Sequence, residues 1–338
     1  MARICILPQV SGIGGMVSFR AQFTAGLEAR GIQVSSSLDD RPYDAVLVIG
    51  GTRDLPSLWR ARRAGYRIVQ RLNGMNWIHR KRRTGLKHTL RAEYGNLILN
   101  TIRTRLAQRI VYQSRFAQGW WEREHGAAQA AWKVVYNAVD LEKYSPDGPG
   151  ELPTDRQRLL LVEGSLGGGY DQGLETAVKM GKFLRTAQDL PVEVMVVGQV
   201  PAPLQAHWQA QSRVGLVFTG KVPRADIPRL DRSAHLLFAA DINAACPNST
   251  IEALACGLPV VAFDTGALPE LVTGDAGRIV PYGGDPWKLE PPDVAALARG
   301  AAELLADQPR FRQGARRRAE AAFGLDAMVE GYLECLLG

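Results

Sequence analysis

Three short segments place glycines, helix-capping residues and a carboxylate in patterns suited to holding phosphate and sugar. The first, Gly12-Ile13-Gly14-Gly15-Met16, follows an apolar run and precedes Phe19, Phe23 and Leu27, which repeat at i+4 on one helix face. Glycine lets the backbone approach a ligand closely, and the N–H groups of a helix start favour an anion; a plain tight turn is the other reading. A dinucleotide fingerprint is incomplete, because Val17 stands where its third glycine belongs. The second segment, Glu163-Gly164-Ser165-Leu166-Gly167-Gly168-Gly169-Tyr170-Asp171-Gln172-Gly173, again joins a strand-like run to a helix. Three successive glycines are entropically costly merely to turn a corner, and no Gly-Lys-Ser/Thr follows to make a Walker loop. The third runs from Cys246 to Phe263. Asn248 or Ser249 can cap its helix, Ile251, Leu254 and Ala255 give a buried stripe, and Gly257-Leu258-Pro259 ends it before a strand. Glu252, in the first turns, can accept hydrogen bonds from vicinal hydroxyls while nearby amides of Asn248, Ser249 and Thr250 hold a diphosphate. Taken alone, Glu252 also reads as a carboxylate complementing the helix dipole.

These segments need elements to position them. Short β-branched runs at Ile4–Leu7, Ala45–Ile49, Arg67–Leu72, Arg109–Tyr112 and Val134–Tyr136 leave room for helices between them. A second series follows at Leu159–Val162, Val192–Val197, Leu216–Phe218, Leu236–Ala239, Pro259–Phe263 and Arg278–Val280. Alternating helices and apolar strands imply parallel sheets covered on both faces, an α/β chain of two tandem doubly wound domains. The 338 residues fit about two domains at roughly 150 residues each. The polar Pro/Gly-rich stretch Ser145–Pro153 reads as the linker, and Val294–Leu337 reads as helical. Such sheets bind ligands at the carboxyl ends of their strands, where all three segments fall.

Composition narrows the class. With 46% hydrophobic and 22% charged residues, the chain reads as an ordinary globular protein. Cys5, Cys246, Cys256 and Cys335 form no C-x-x-C pair, which argues against a zinc site or disulfide framework and for the reducing cytosol. The N-terminal apolar run is too short for a signal peptide, and no run is long enough to span a bilayer. The net charge of +7 is uneven: residues 1–150 hold 23 Lys and Arg against 11 Asp and Glu, and the remainder is net acidic. Between Arg53 and Arg115, 16 basic residues, with the run Arg80-Lys81-Arg82-Arg83, face only Asp54 and Glu93. Such a field attracts phosphate-rich partners.

With those residues in hand, the chain resembles, over nearly its whole length, the retaining nucleotide-sugar-dependent glycosyltransferases of GT-B fold related to glycosyltransferase family four. Gly14-Gly15-Met16 with Phe23, Leu27 and Gly31-Ile32-Gln33-Val34 is similar to that group's opening loop and helix. Val135-Tyr136-Asn137-Ala138-Val139-Asp140 and Lys143-Tyr144 resemble its interdomain segment. Glu252–Val261 resembles its donor-binding helix and Gly266–Val272 the loop after it. The resemblance implies an acceptor-binding domain over 1–146, a nucleotide-sugar domain over 155–323, and a last helix, about 324–338, returning to the first domain. The two domains would face a cleft whose closure excludes water. It implies Glu252 on the ribose and Asn73 near the donor sugar as catalytic residues. Gly14, Gly15, Ser165, Gln172, Lys221, Asn248, Ser249 and Thr250 would bind the donor. No metal and no cofactor beyond the nucleoside diphosphate sugar co-substrate are implied, in keeping with the lack of an Asp-x-Asp motif.

Three positions depart from that pattern. Ser165 and Gln172 replace the arginine and lysine that grip the diphosphate, so Lys221 and Arg71 become candidate substitutes; a solvated lysine and a structural ion pair are their other readings. Ala244 replaces the first glutamate of the group's E-x(7)-E pair, with Asp241 or Asn243 as displaced stand-ins. Asn73 replaces a histidine, and an amide can hydrogen-bond a sugar but not titrate near pH 7. His79 reads as a surface histidine. Arg71, Trp77, Arg80, Lys81, Arg82 and Arg83 form the expected acceptor or membrane surface, where each basic residue near anionic lipid contributes about 1 kcal/mol. Trp120 and Trp121 read as interface anchors or as packing. The expected activity is hexosyl transfer with retention, onto a saccharide or lipid-linked saccharide of the cell envelope such as lipopolysaccharide. The expected location is cytoplasmic and peripheral on the inner face of the plasma membrane. A non-catalytic saccharide-binding or partner protein of GT-B fold is the alternative. Nucleic-acid binding ranks last for want of a recognition motif.

Overall fold

The structure is a computed structural model that describes residues 2–12, 14–82, 85–166, 171–189 and 191–338, without the side chains of 187 and 188. It divides into two compact units, Met1–Ala138 with Gly324–Gly338, and Val139–Phe323. In the first, six parallel strands stand in the order β2-β1-β3-β4-β5-β6. They are β1 (Arg3–Leu7), β2 (Gln33–Ser35), β3 (Ala45–Ile49), β4 (Arg67–Leu72), β5 (Arg109–Tyr112) and β6 (Ala131–Val134). Helices α1 (Gly15–Glu28), α2 (Leu55–Arg63), α3 (Leu86–Thr101) and α4 (Arg115–His125) alternate with them. The second unit has strands β7 (Gln157–Ser165), β8 (Val192–Gln199), β9 (Gly215–Gly220), β10 (Leu236–Ala239), β11 (Val260–Phe263) and β12 (Gly277–Val280). Their order is β12-β11-β10-β7-β8-β9, again all parallel. Its helices are α5 (Gln172–Gln188), α6 (Ala202–Gln211), α7 (Ile227–Arg232), α8 (Asn248–Ala255), α9 (Leu268–Leu271), α10 (Val294–Ala306) and α11 (Gln308–Ala322). The last helix, α12 (Leu325–Leu337), belongs to the first unit.

The doubly wound α/β reading holds for both sheets; one strand reading needs correction, and one strand escapes the sequence reading. The run at Val134–Tyr136 lies mostly beyond β6, which is an exposed edge strand drawing its pairing from β5 rather than from a buried apolar core. Gln33–Ser35 is a three-residue strand at the other edge, too short and polar to show a run.

Strand alternation explains how the first sheet buries both faces. Ile4, Ile6, Leu47, Ile49 and Val69 point to a layer with Phe19, Phe23 and Leu27 of α1 and Met328, Val329 and Tyr332 of α12. Cys5, Leu7, Val46, Val48 and Ile68 point oppositely, against Leu58 and Ala61 of α2 and Ile98 of α3. Helices α1 and α12 touch closely: the rings of Phe19, Phe23 and Tyr332 lie 5.1–5.4 Å apart. Each such aromatic pair adds about 0.5–1.5 kcal/mol beyond its buried area. In the second unit, Leu159, Leu161, Val194 and Val196 pack with Leu174, Met180 and Leu184 of α5 and Leu297 and Leu304 of α10. The Ser145–Pro153 stretch is fastened to this unit rather than free. Arg232 of α7 donates to the carbonyls of Ser145 (3.0 Å) and Pro149 (2.8 Å), and Gly150 sits against its side chain. All four cysteines are buried free thiols. Among the described residues, no helix is long and apolar enough to cross a membrane.

Candidate active site

In each sheet the chain reverses its direction of strand addition once, and crevices for ligands open at such switch points. In the second unit the switch lies between β7 and β10. Glu163 and Ser165 lie at the carboxyl end of β7, and Asp241 just past that of β10. Helix α8, which follows β10, opens on Pro247, and no side chain caps it. The capping reading of Asn248 and Ser249 is therefore corrected: Pro247 takes the cap position, and both residues, with Thr250, form the first turn. Helix geometry leaves those first-turn N–H groups without intrahelical acceptors. The Thr250 hydroxyl is buried without a hydrogen-bond partner.

Glu252 lies one turn into α8 and is 7% exposed. Its Oε1 accepts from Nη2 of Arg224 at 3.1 Å, and Arg224 Nε donates to the Tyr144 hydroxyl at 3.2 Å. Burial pushes the Glu252 carboxyl up from its ordinary range; the charge of Arg224 opposes this most, aided by hydrogen bonds from Arg224 and Tyr144. Burial, then the charge of Glu252, pushes the Tyr144 hydroxyl up. Asp231, wholly enclosed beneath α8, is raised by burial and by Glu252, while a hydrogen bond from Cys256 opposes that rise. Glu252 is thus a nearly enclosed acid paired with Arg224 and close enough to Asp231 to push that carboxyl up.

The loop before α8 is set by close backbone contact. Gly266 adopts φ 61°, and a Cβ there would lie 2.6 Å from the nitrogen and oxygen of Ala244, so only glycine fits. Ala267 N–H donates to the Ala244 carbonyl at 2.8 Å. Asn243 takes φ 58° and is buried. Ala244 thus serves the loop through its backbone.

The charge at this strand end is the reverse of a diphosphate grip. Burial raises the Glu163 carboxyl well above its ordinary range, and the charge of Asp241 raises it further. Asp241 keeps an accessible surface, but the protein around it removes enough water to raise its carboxyl too. Ser165 is exposed at the end of β7. Gln172 opens α5 and donates to the Tyr282 hydroxyl at 3.2 Å, which in turn donates to the Glu290 carbonyl at 2.6 Å. Lys221 is exposed just after β9. Gly167, Gly168, Gly169 and Tyr170 lie outside the described residues.

In the first unit, Gly14 adopts φ 147° at the start of α1, leaving Gly15 as its first residue. The residue after β3 meets the loop after β4 and the start of α1: the Cβ position of Gly50 lies 3.7 Å from both the Asn73 amide oxygen and the Met16 sulfur. Asn73 follows β4, and the Trp121 indole donates to its carbonyl at 2.7 Å. Trp120 packs on Gly74. Both tryptophans are buried, so the anchor reading is corrected: they brace the Asn73 loop from inside. Arg71 is also removed from any surface role. It is 1% exposed, stacks 4.0 Å over the Phe19 ring and donates to Asn137 at 2.8 Å. His79 is buried rather than at the surface, with Nε2 2.8 Å from Glu93. Arg80 grips the same carboxylate at 2.6 and 2.9 Å, and its hydrogen bond is the largest cause of the fall in Glu93 to about 2. Trp77 and Arg82 are half-buried and Lys81 is exposed, whereas Arg83 lies outside the described residues.

Residues 157–307, within the second unit, match the family described as Glycosyl transferases group 1. Among curated proteins, the 2-deoxystreptamine glucosyltransferase of Streptomyces kanamyceticus is 29% identical over 196 residues, 54% of this chain and 48% of that protein. The matched stretch thus spans under half of that relative's length. Among solved structures, sucrose-phosphate synthase from Thermosynechococcus elongatus aligns with a TM-score of 0.76 at 15% identity, covering 99% of this chain and 98% of that one. Anabaena Alr3699/HepE, in complex with UDP and glucose, aligns at 0.68 and 16%, covering 99% of each chain. The chain has the GT-B fold, and residues 157–307 of its second unit are similar to the glycosyl transferases of group 1.

Proposed function

We propose that this chain is a retaining, metal-independent glycosyltransferase of hexosyltransferase type. It moves a sugar from a nucleoside diphosphate sugar onto a saccharide or lipid-linked saccharide, in cell-envelope polysaccharide or lipopolysaccharide synthesis at the cytoplasmic face of the plasma membrane. The observation that carries the donor assignment is α8: an N-terminus no side chain caps, at the switch-point strand end, with Glu252 one turn below it. The first-turn amides of Asn248, Ser249 and Thr250 take the diphosphate, and Glu252 accepts the ribose hydroxyls. Lys221, exposed just after β9, is assigned to the departing charge. The first unit takes the acceptor, and its Asn73 amide and Gly14-Gly15 backbone are assigned to the donor. The acceptor oxygen bonds to the anomeric carbon as the diphosphate oxygen leaves, and the diphosphate takes the hydroxyl proton from the same face. The protein's work is to stabilise charge on the departing phosphates. The fold shared with a UDP-bound relative supports the donor class, and the basic first half supports an anionic lipid surface.

The test is Glu252→Ala. Nucleoside diphosphate binding and sugar transfer are lost while the melting profile shows a folded chain. Donor binding unchanged in that variant contradicts the assignment.

A further inference from the structure

Helix α3 is buried along one side and carries an exposed apolar stripe along another. Ala92, Asn96 and Ile98 are buried against the first unit, Ile98 within its second core layer. On the other side Leu86, Leu90, Tyr94 and Leu97 are 76%, 62%, 53% and 61% exposed. At 100° per residue these four side chains fall within an arc of about 80°, a continuous stripe about 16 Å long. The remaining large exposed apolar residues, such as Trp59, Trp132 and Phe183, stand singly on their elements. Contiguous exposed apolar side chains on a helix mark an interaction surface, so a four-residue stripe in water lacks its partner.

The charges around the stripe say what that partner is. Exposed Lys87 and Arg91 border it on the helix, and exposed Lys81 and Arg105 lie just beyond its ends. Within residues 80–105, Arg80, Lys81, Lys87, Arg91 and Arg105 are exposed, and the sequence there holds one acid, Glu93. That acid is itself taken up by Arg80 and His79. The geometry points to the outer face of α3 as a docking surface for an anionic lipid bilayer. The helix lies flat at the interface with Leu86, Leu90 and Leu97 below the headgroups, Tyr94 at their level, and Lys87 and Arg91 among the phosphates. A second copy of the chain is disfavoured because the same face would bring like charges together. This deepens the membrane part of the proposed function and rests on it; donor binding does not enter.

The test uses the full chain in flotation with vesicles of phosphatidylcholine and phosphatidylglycerol, and with vesicles of phosphatidylcholine alone. The wild type floats with the anionic vesicles and far less with the neutral ones. Leu90→Gln with Leu97→Gln lowers that partitioning about tenfold or more, whereas Phe183→Gln, on α5, leaves it unchanged. Both leucines are exposed, so the melting profile stays that of the wild type. In a separate variant, Tyr94→Trp, the added indole fluorescence shifts to the blue on anionic vesicles as the ring leaves water. Wild type that floats while the double leucine variant floats equally well, or Tyr94→Trp fluorescence that does not shift beyond that of the wild type, overturns the α3 surface and leaves the membrane reading standing. Wild type that floats with neither vesicle overturns both. A wild-type dimer that the leucine substitutions break assigns the face to self-association and overturns the proposal.

Discussion

Replacing Arg224 with leucine isolates the one cation that holds Glu252. The substitution leaves a carboxylate at 7% exposure without its ion-pair partner at 3.1 Å, and deprives the Tyr144 hydroxyl of its donor at 3.2 Å. Breaking a fully buried pair costs about 3–5 kcal/mol, but the Arg224 side chain is 35% exposed and solvent screens part of the attraction. A loss of about 2 kcal/mol at pH 8 follows after that discount, roughly 4–8 °C in melting temperature for a unit of this size. The pH dependence separates this cause from simple loss of packing. Burial already raises the Glu252 carboxyl, and removing Arg224 raises it further, so the variant's folded state takes up a proton that its unfolded state releases. The penalty is therefore present above the raised value and shrinks as pH falls through it. Differential scanning calorimetry at pH 8 and pH 5 reads both quantities. Arg224→Lys keeps the charge and recovers part of the loss. A penalty equal at the two pH values, or no penalty at all, refutes the claim that Arg224 acts by holding an ionised Glu252.

Two further outcomes follow from ionisable groups that the surrounding protein desolvates. Glu163→Gln removes an ionisable carboxyl, pushed well up by burial and by Asp241, from the strand end assigned to the diphosphate. Donor binding at pH 8, read by titration calorimetry, tightens about threefold to tenfold, and the wild type's gain in affinity toward acid pH flattens. Unchanged affinity in that variant places the diphosphate elsewhere. His235 is held neutral: its Nδ1 accepts the Arg158 N–H at 2.9 Å, and burial, then the charges of Arg312 and Arg158, lower it to about 4. Its contribution is complete above the unfolded value near 6.5 and is lost as pH falls toward the folded one, a difference of about 3 kcal/mol. Urea denaturation of the wild type at pH 7.5 and pH 4, against His235→Asn, reads it; identical pH slopes in the two proteins contradict it.

Much of the fold is visible locally because a buried parallel strand must be an apolar run. Leu159–Leu161 and Val260–Phe263 are legible from composition alone. Gln33–Ser35 is not, since three residues at a sheet edge need no apolar pattern. Helix α8 announces itself through its stripe and its Gly-Leu-Pro stop, and Glu252 with it. Its holder does not: Arg224 lies 28 residues away and reaches Glu252 only through the fold. Trp120 and Trp121 could be placed only by seeing which side of α4 the sheet covers. The same ambiguity hid α3, where leucines on an outer face look like core leucines until burial separates them.

The account turns on Glu252 and a ribose, and a ribose can be altered without touching the protein. The most direct measurement is a titration of wild type and Glu252→Ala with UDP and with its 2′,3′-dideoxy analogue, repeated with GDP and its analogue. Two charge-assisted hydrogen bonds, each about 1.5–3 kcal/mol, make the wild type prefer the intact ribose by roughly a hundredfold or more, a preference that disappears in the variant. Equal affinity of the wild type for the intact and dideoxy forms, or the same preference surviving in Glu252→Ala, contradicts it.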